Sequence, residues 1–108
     1  MPTTDDPAAP EGRAEITDEA GVPLIKLVGE LDLSNVDSVR ATIDATVSSA
    51  PERIVFDLSG LEFLDSSGIA LLLFAAAKSG SVQLRYPSEI VRRIIEVTGL
   101  ADVLHMDA

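Results

Sequence analysis

The sequence has no cysteine and no tryptophan, a single histidine, and only 4% aromatic residues in 108. Without cysteine there is no disulfide framework, no thiolate nucleophile and no thiol redox switch, which fits a cytoplasmic protein. With so few rings, the core is expected to be built from Leu, Ile, Val and Ala. Cations are scarce too: 8 Lys and Arg stand against 18 Asp and Glu, a net charge of -10 at pH 7. Such a surface repels phosphate backbones and anionic lipid headgroups, so nucleic acid and direct membrane contact are not expected. The acidity itself reads as solubility rather than as an address for a basic partner. The N-terminal residues lack the basic and apolar regions of a secretion signal, so export by that route is not expected. The apolar run Ile69 to Ala77 is too short to span a bilayer.

The motifs of several enzyme classes are also missing. There is no glycine-rich dinucleotide fingerprint, no P-loop and no Gly-x-Ser-x-Gly elbow. The lone His105 lies at the chain end, where a triad with Ser66 and an acid has little to recommend it. Asp32, Asp57, Glu62 and Asp65 are oxygen ligands of the right type for a divalent cation, but their spacing is not that of an EF-hand and capping explains each separately. Asp57 at a strand end suits a receiver's phosphoacceptor, yet the acidic pair and late lysine of that pattern are absent. No catalytic residue, metal or cofactor is therefore expected, and a binding module is preferred to an enzyme.

A length of 108 residues allows one core and one domain. Residues 1 to 13, rich in Pro, Ala and acids, read as a flexible acidic tail ahead of a domain over 14–108. Ala14 to Asp18 and Pro23 to Gly29 read as a hairpin around Glu19-Ala20-Gly21-Val22. Ser34 reads as the start of a helix, with Asp37 as an imperfect capping box and Val36, Val39, Ile43, Val47 and Ala50 at helical spacing up to Pro51. Ile54-Val55-Phe56 reads as a buried strand, Asp57 to Leu64 as a connection, and a second helix starts at Ser66 or Ser67 and ends near Gly80. Alternation in Val82 to Tyr86 predicts a strand with one wet face, which places the helices mainly on one side of the sheet. Pro87-Ser88-Glu89 opens a third helix closed by Thr98-Gly99, and Val103 to Met106 adds a short strand. The predicted fold is α/β, a mostly parallel sheet with an antiparallel N-terminal edge hairpin.

The informative segment runs from Ile54 to Ile69: a buried strand, a short connection, then Asp65-Ser66-Ser67-Gly68 at the start of an apolar helix. It resembles the signature of STAS domains, specifically the bacterial anti-sigma factor antagonists. Gly29-Glu30-Leu31-Asp32 and the stretch Ser88 to Leu100 fit the same family, so the resemblance spans about Ile16 to Met106. It implies an unphosphorylated protein that binds an anti-sigma factor serine kinase and frees a sigma factor. Phosphorylation by that partner would break the complex, and a phosphoserine phosphatase would reset it. The resemblance places the acceptor at Ser66 and Asp32 beside it. A second use of the same fold, a non-phosphorylated subunit of a membrane transport complex, remains open. A hydrolase using Ser66 lacks a placed base and an oxyanion site.

Ser66 also suits an N-cap, and a phosphate there would add nearly two negative charges next to Asp65. Helical phase nevertheless puts Ser67, Leu71, Phe74 and Lys78 on one face, opposite an expected core stripe of Ile69, Leu72, Leu73 and Ala76. Ser67 thus remains an alternative acceptor. The expected contact set is Asp32, Asp65, Ser66, Ser67, Gly68, Leu71 and Phe74, with burial of Leu71 and Phe74 in the core as the competing outcome.

Overall fold

In the computed structural model, which describes residues 12–106, the chain begins with a hairpin whose turn follows from two residues. Ala20 and Gly21 both take positive φ, 53° and 86°, the backbone that matches the twist of flanking strands in a two-residue turn. β1 (Arg13–Glu19) thereby pairs antiparallel with β2 (Val22–Leu31). Arg13 already pairs with Val28, so the sheet begins one residue inside the stretch expected as tail. The rest of that stretch, residues 1–11, lies outside the described residues.

The remaining elements are α1 (Val36–Ser48), β3 (Ile54–Leu64), α2 (Ser66–Lys78), β4 (Val82–Arg85), α3 (Glu89–Val97), a 3-10 turn (Leu100–Asp102) and β5 (His105–Met106). The sheet runs in the order β1-β2-β3-β4-β5, with β2 to β5 parallel. Each crossover steps one strand in the same direction. Right-handed crossovers in that order put all three helices on one face, as the one-sided burial of β4 predicts.

The core lies between that face and the helices. Ile25, Leu27 and Leu31 of β2, Phe56 and Leu58 of β3, and Leu84 of β4 meet Ile43 of α1, Leu72 of α2 and Ile95 of α3. Among the described residues no polar or charged side chain is buried.

Two expectations are corrected. The segment Asp57 to Leu64 is not a connection but the second half of β3. Its register against β2 slips between Lys26 and Val28 and again between Gly29 and Glu30, so β3 carries an extra residue at each bulge. Burial therefore falls on Leu58, Leu61 and Leu64, a spacing of three that does not look like the period of two of a regular strand. Helix α1 starts at Val36 and not at Ser34. The Ser34 hydroxyl is spent on Asp32 Oδ1, and Asn35 accepts from the Asp32 N–H while its amide donates to the Glu30 carbonyl. Those bonds shape the loop after β2 rather than cap the helix.

Candidate functional site

β2 and β3 run side by side to their C-terminal ends, where Leu31 pairs with Leu64. The chain then leaves each strand through a short acidic turn, Asp32 after β2 and Asp65 after β3. The turns are tied together: the Asp65 N–H donates to the Leu31 carbonyl at 3.1 Å, and the Leu33 N–H donates to Asp65 Oδ2 at 3.2 Å. Asp32 Oδ1 in turn accepts from the Ser34 N–H at 2.9 Å. The two acids expected beside the acceptor are thus held in one pair of cross-linked loops.

Asp65, not Ser66, caps α2. Its Oδ1 accepts from the Ser67 N–H at 2.8 Å, the Gly68 N–H at 3.2 Å and the Ser67 hydroxyl at 2.7 Å. The Ser67 hydroxyl bond, followed by the backbone donors of Gly68, Ser67 and Leu33, holds the Asp65 carboxyl below the usual aspartate range against an opposing contribution from burial. A carboxyl with a lowered folded pKa contributes stability above its unfolded pKa and loses it as pH falls through the folded value. Asp65→Ala is expected to cost about 0.5–2 kcal/mol of stability near neutral pH. In acid, below the lowered carboxyl pKa, the difference from wild type should shrink, as denaturant melts across pH would show.

The cap separates the two serines. Ser67 is half-buried with its hydroxyl committed to Asp65. Ser66 is exposed, and no hydrogen bond engages its hydroxyl among the described residues. Ser66, Ala70, Leu73 and Ala77 form the exposed stripe of α2, while Gly68, Ile69, Leu71, Leu72 and Ala75 are buried. The expected phase is corrected accordingly. Leu71, at 2% exposure, belongs to the core and offers nothing to a partner, whereas Leu73, at 38%, faces out. Phe74 is half-buried against the core, with the Arg40 guanidinium 4.0 Å from its ring centroid.

Gly68 is buried where α2 approaches the sheet. A Cβ there would meet Leu64 Cβ at 2.9 Å and the Leu31 carbonyl oxygen at 3.1 Å, so glycine lets the helix start sit directly on the ends of β2 and β3. Gly68→Ala is expected to destabilise by about 1–3 kcal/mol through overpacking, even though alanine is the better helix former by about 1 kcal/mol. Thermal unfolding measures the balance.

Three exposed apolar residues that the motif does not point to lie on the elements that carry the site: Leu33 at 78% exposure, Phe63 and Leu73. Leu33 is fixed by Asp65, Phe63 precedes it by two residues, and Leu73 shares the stripe of Ser66. Glu30 and Phe63 pair one step before Leu31 and Leu64, so Phe63 faces the helix-free side of the sheet. This leaves Leu33 and Leu73 as the exposed apolar residues of the acidic loop and of the Ser66 stripe, a surface for a macromolecule rather than a cleft for a small substrate.

The other candidates do not assemble. His105 pairs with Gln83, which pairs with Val55, so it lies most of the length of β3, on the order of 25 Å, from Ser66. Asp57 sits midway along β3 and accepts from the Ser59 N–H at the bulge. Among the described residues no group of three or more His, Cys, Asp or Glu side chains is placed to hold a metal ion. Among them, too, no helix is long and apolar enough to cross a membrane.

The family profile described as "Mlab, STAS domain" matches residues 14–105. An anti-sigma F factor antagonist of Lysinibacillus sphaericus is 37% identical over 90 residues, covering 79% of this chain and 76% of that protein. The crystal structure of an anti-sigma factor antagonist from Mycobacterium paratuberculosis superposes with a TM-score of 0.81 at 28% identity, covering 89% of this chain and 85% of that one. The antagonist SpoIIAA in its unphosphorylated form gives a TM-score of 0.67 at 31% identity, covering 91% and 89%. The Bacillus cell fate determinant SpoIIAA in its phosphorylated form gives 0.61 at 27% identity, covering 91% and 92%.

Proposed function

This chain belongs to the STAS-domain family of anti-sigma factor antagonists, and on that premise we propose that it binds an anti-sigma factor kinase and is switched off by phosphorylation of Ser66. The observation that carries the proposal is the division of labour at the start of α2. Asp65 and Ser67 satisfy the helix end between them, which leaves the Ser66 hydroxyl exposed and unengaged. A kinase can reach it without dismantling the cap.

The contact surface is Asp32, Asp65 and Ser66 with the exposed apolar rim of Leu33 and Leu73, flanked by Ser67 and Phe74. Gly68 contributes by seating the helix. Unphosphorylated, this surface buries apolar area against the anti-sigma factor. A phosphate on Ser66 would stand at a helix N-terminus, where the fold itself tolerates it, since the helix dipole favours an anion there. Its cost arises at the interface, where a dianion beside Asp65 must be desolvated and meets like charge. The switch therefore needs no refolding. The relative called SpoIIAA, with both of its forms similar in fold to this chain, fits that account.

The chain thus acts by binding rather than by catalysis, in the cytoplasm, with a phosphatase restoring the free hydroxyl. Mixing it with a complex of sigma factor and anti-sigma kinase from the same genome should release the sigma factor on a sizing column. Unchanged complexes with every such kinase would oppose the proposal and favour the transport-subunit use of the fold.

A further inference from the structure

The face of the sheet opposite the helices carries a concave site. Paired residues share a face, and the register aligns Thr17, Leu24, Val55 and Gln83 in one row across it. Val55 is only 3% exposed although no helix covers it. On that face a strap of side chains crosses the sheet: Arg85 of β4 reaches to Glu19 of β1, with Nη1 3.3 Å from Oε1. Beneath and beside the strap is a recess of about 180 Å³ lined by Glu19, Ala20, Val22, Leu24, Arg53, Val55 and Arg85.

The recess combines an apolar floor with a cationic rim. The floor is Val22, Leu24 and Val55, and two of the chain's 8 cations converge at the rim of a protein with net charge -10. Arg53 is held by the neutral side chain of Gln83 and Arg85 by one long contact to Glu19. Two guanidinium groups and one carboxylate leave a net charge of +1, which a monoanion neutralises and a dianion does not. Guanidinium forks match carboxylate oxygens in plane. A cavity of roughly 150 Å³ is enough to take up benzene.

We infer that this recess binds a small organic carboxylate with a ring-sized or branched apolar body, the carboxylate on Arg53 and Arg85 and the body on Val22, Leu24 and Val55. The site lies at the N-terminal ends of β2 and β3, remote from Ser66, and stands independently of the phosphorylation switch. No bond is made or broken.

The test is amide chemical-shift titration of the full chain with benzoate, cyclohexanecarboxylate and isovalerate, up to about 10 mM, at matched ionic strength. Benzamide and inorganic phosphate serve as the neutral and the non-apolar controls. At least one carboxylate should give saturable shifts at Val22, Leu24 and Val55, weakened about tenfold or more in Arg53→Gln, while neither control saturates there. Arg53 is exposed, so its removal leaves the fold intact, and Arg85→Gln provides the second variant. No saturable shift with any of the three acids, equal binding of benzamide, or wild-type affinity in Arg53→Gln overturns the inference.

Discussion

Ser66→Asp is expected to weaken binding to the anti-sigma factor by about a hundredfold, which corresponds to about 2.7 kcal/mol, with little change in melting temperature. The stability should hold because Ser66 is exposed and uncommitted, while an acid in the first turn of a helix interacts favourably with its dipole. The affinity should fall because a carboxylate placed next to Asp65, on the stripe that carries Leu73, must lose its water when the partner docks. Ser66→Ala should retain binding and lose phosphorylation. Ser67→Ala separates the neighbouring serine from this role. It removes the hydroxyl bond to Asp65, so about 1 kcal/mol of stability is lost, while phosphorylation of Ser66 continues. Calorimetric titration and thermal unfolding of the three variants together distinguish an interface switch from a structural lesion.

Leu71→Ala should cost about 2–5 kcal/mol of stability, the usual range for emptying a buried leucine site. Leu73→Ala, two residues along the same helix, should change stability by less than about 1 kcal/mol and weaken partner binding instead. Leu71 is enclosed by the core cluster and Leu73 stands on the stripe that begins with Ser66. The contrast is sharp because both positions lose the same atoms. Equal destabilisation of the two variants would place Leu73 inside and dismantle the proposed rim.

The elements most legible in the sequence are those whose signals are chemical and local. Ala20-Gly21 fixes the hairpin turn. Ser88 accepts from the Val91 N–H at 3.2 Å and Gly99 takes φ 78°, so α3 has both of its ends written in residue type. The signals that fail are those depending on register. In β3 the two bulges shift the buried phase, and a strand of 11 residues reads as a strand of three followed by a loop. In α2 every residue from Ile69 to Ala77 is apolar, so periodicity cannot tell Leu71 from Leu73. The sheet contact at Gly68 decides it, by pinning which side of the helix start lies on Leu31 and Leu64.

The candidate site shows the same division. Asp65, Ser66 and Ser67 are visible as a motif, but the sequence assigns the cap to Ser66. Only the geometry shows that Asp65 takes that role and binds the Ser67 hydroxyl. Leu33 and Phe63 carry no signal of their own. Leu33 follows the acid of a loop and is brought to Asp65 because the β2 and β3 exits are hydrogen-bonded together, while Phe63 sits beyond a bulge on the helix-free side of the sheet.

The most direct measurement is site mapping by tandem mass spectrometry after incubation of the chain with ATP and the anti-sigma factor kinase of its own genome. A single phosphate on Ser66, with Ser67 unmodified and the phosphorylated chain no longer retained by the kinase, is the predicted result. Phosphate on Ser67, or a chain that is phosphorylated on Ser66 yet binds as tightly as before, would contradict it.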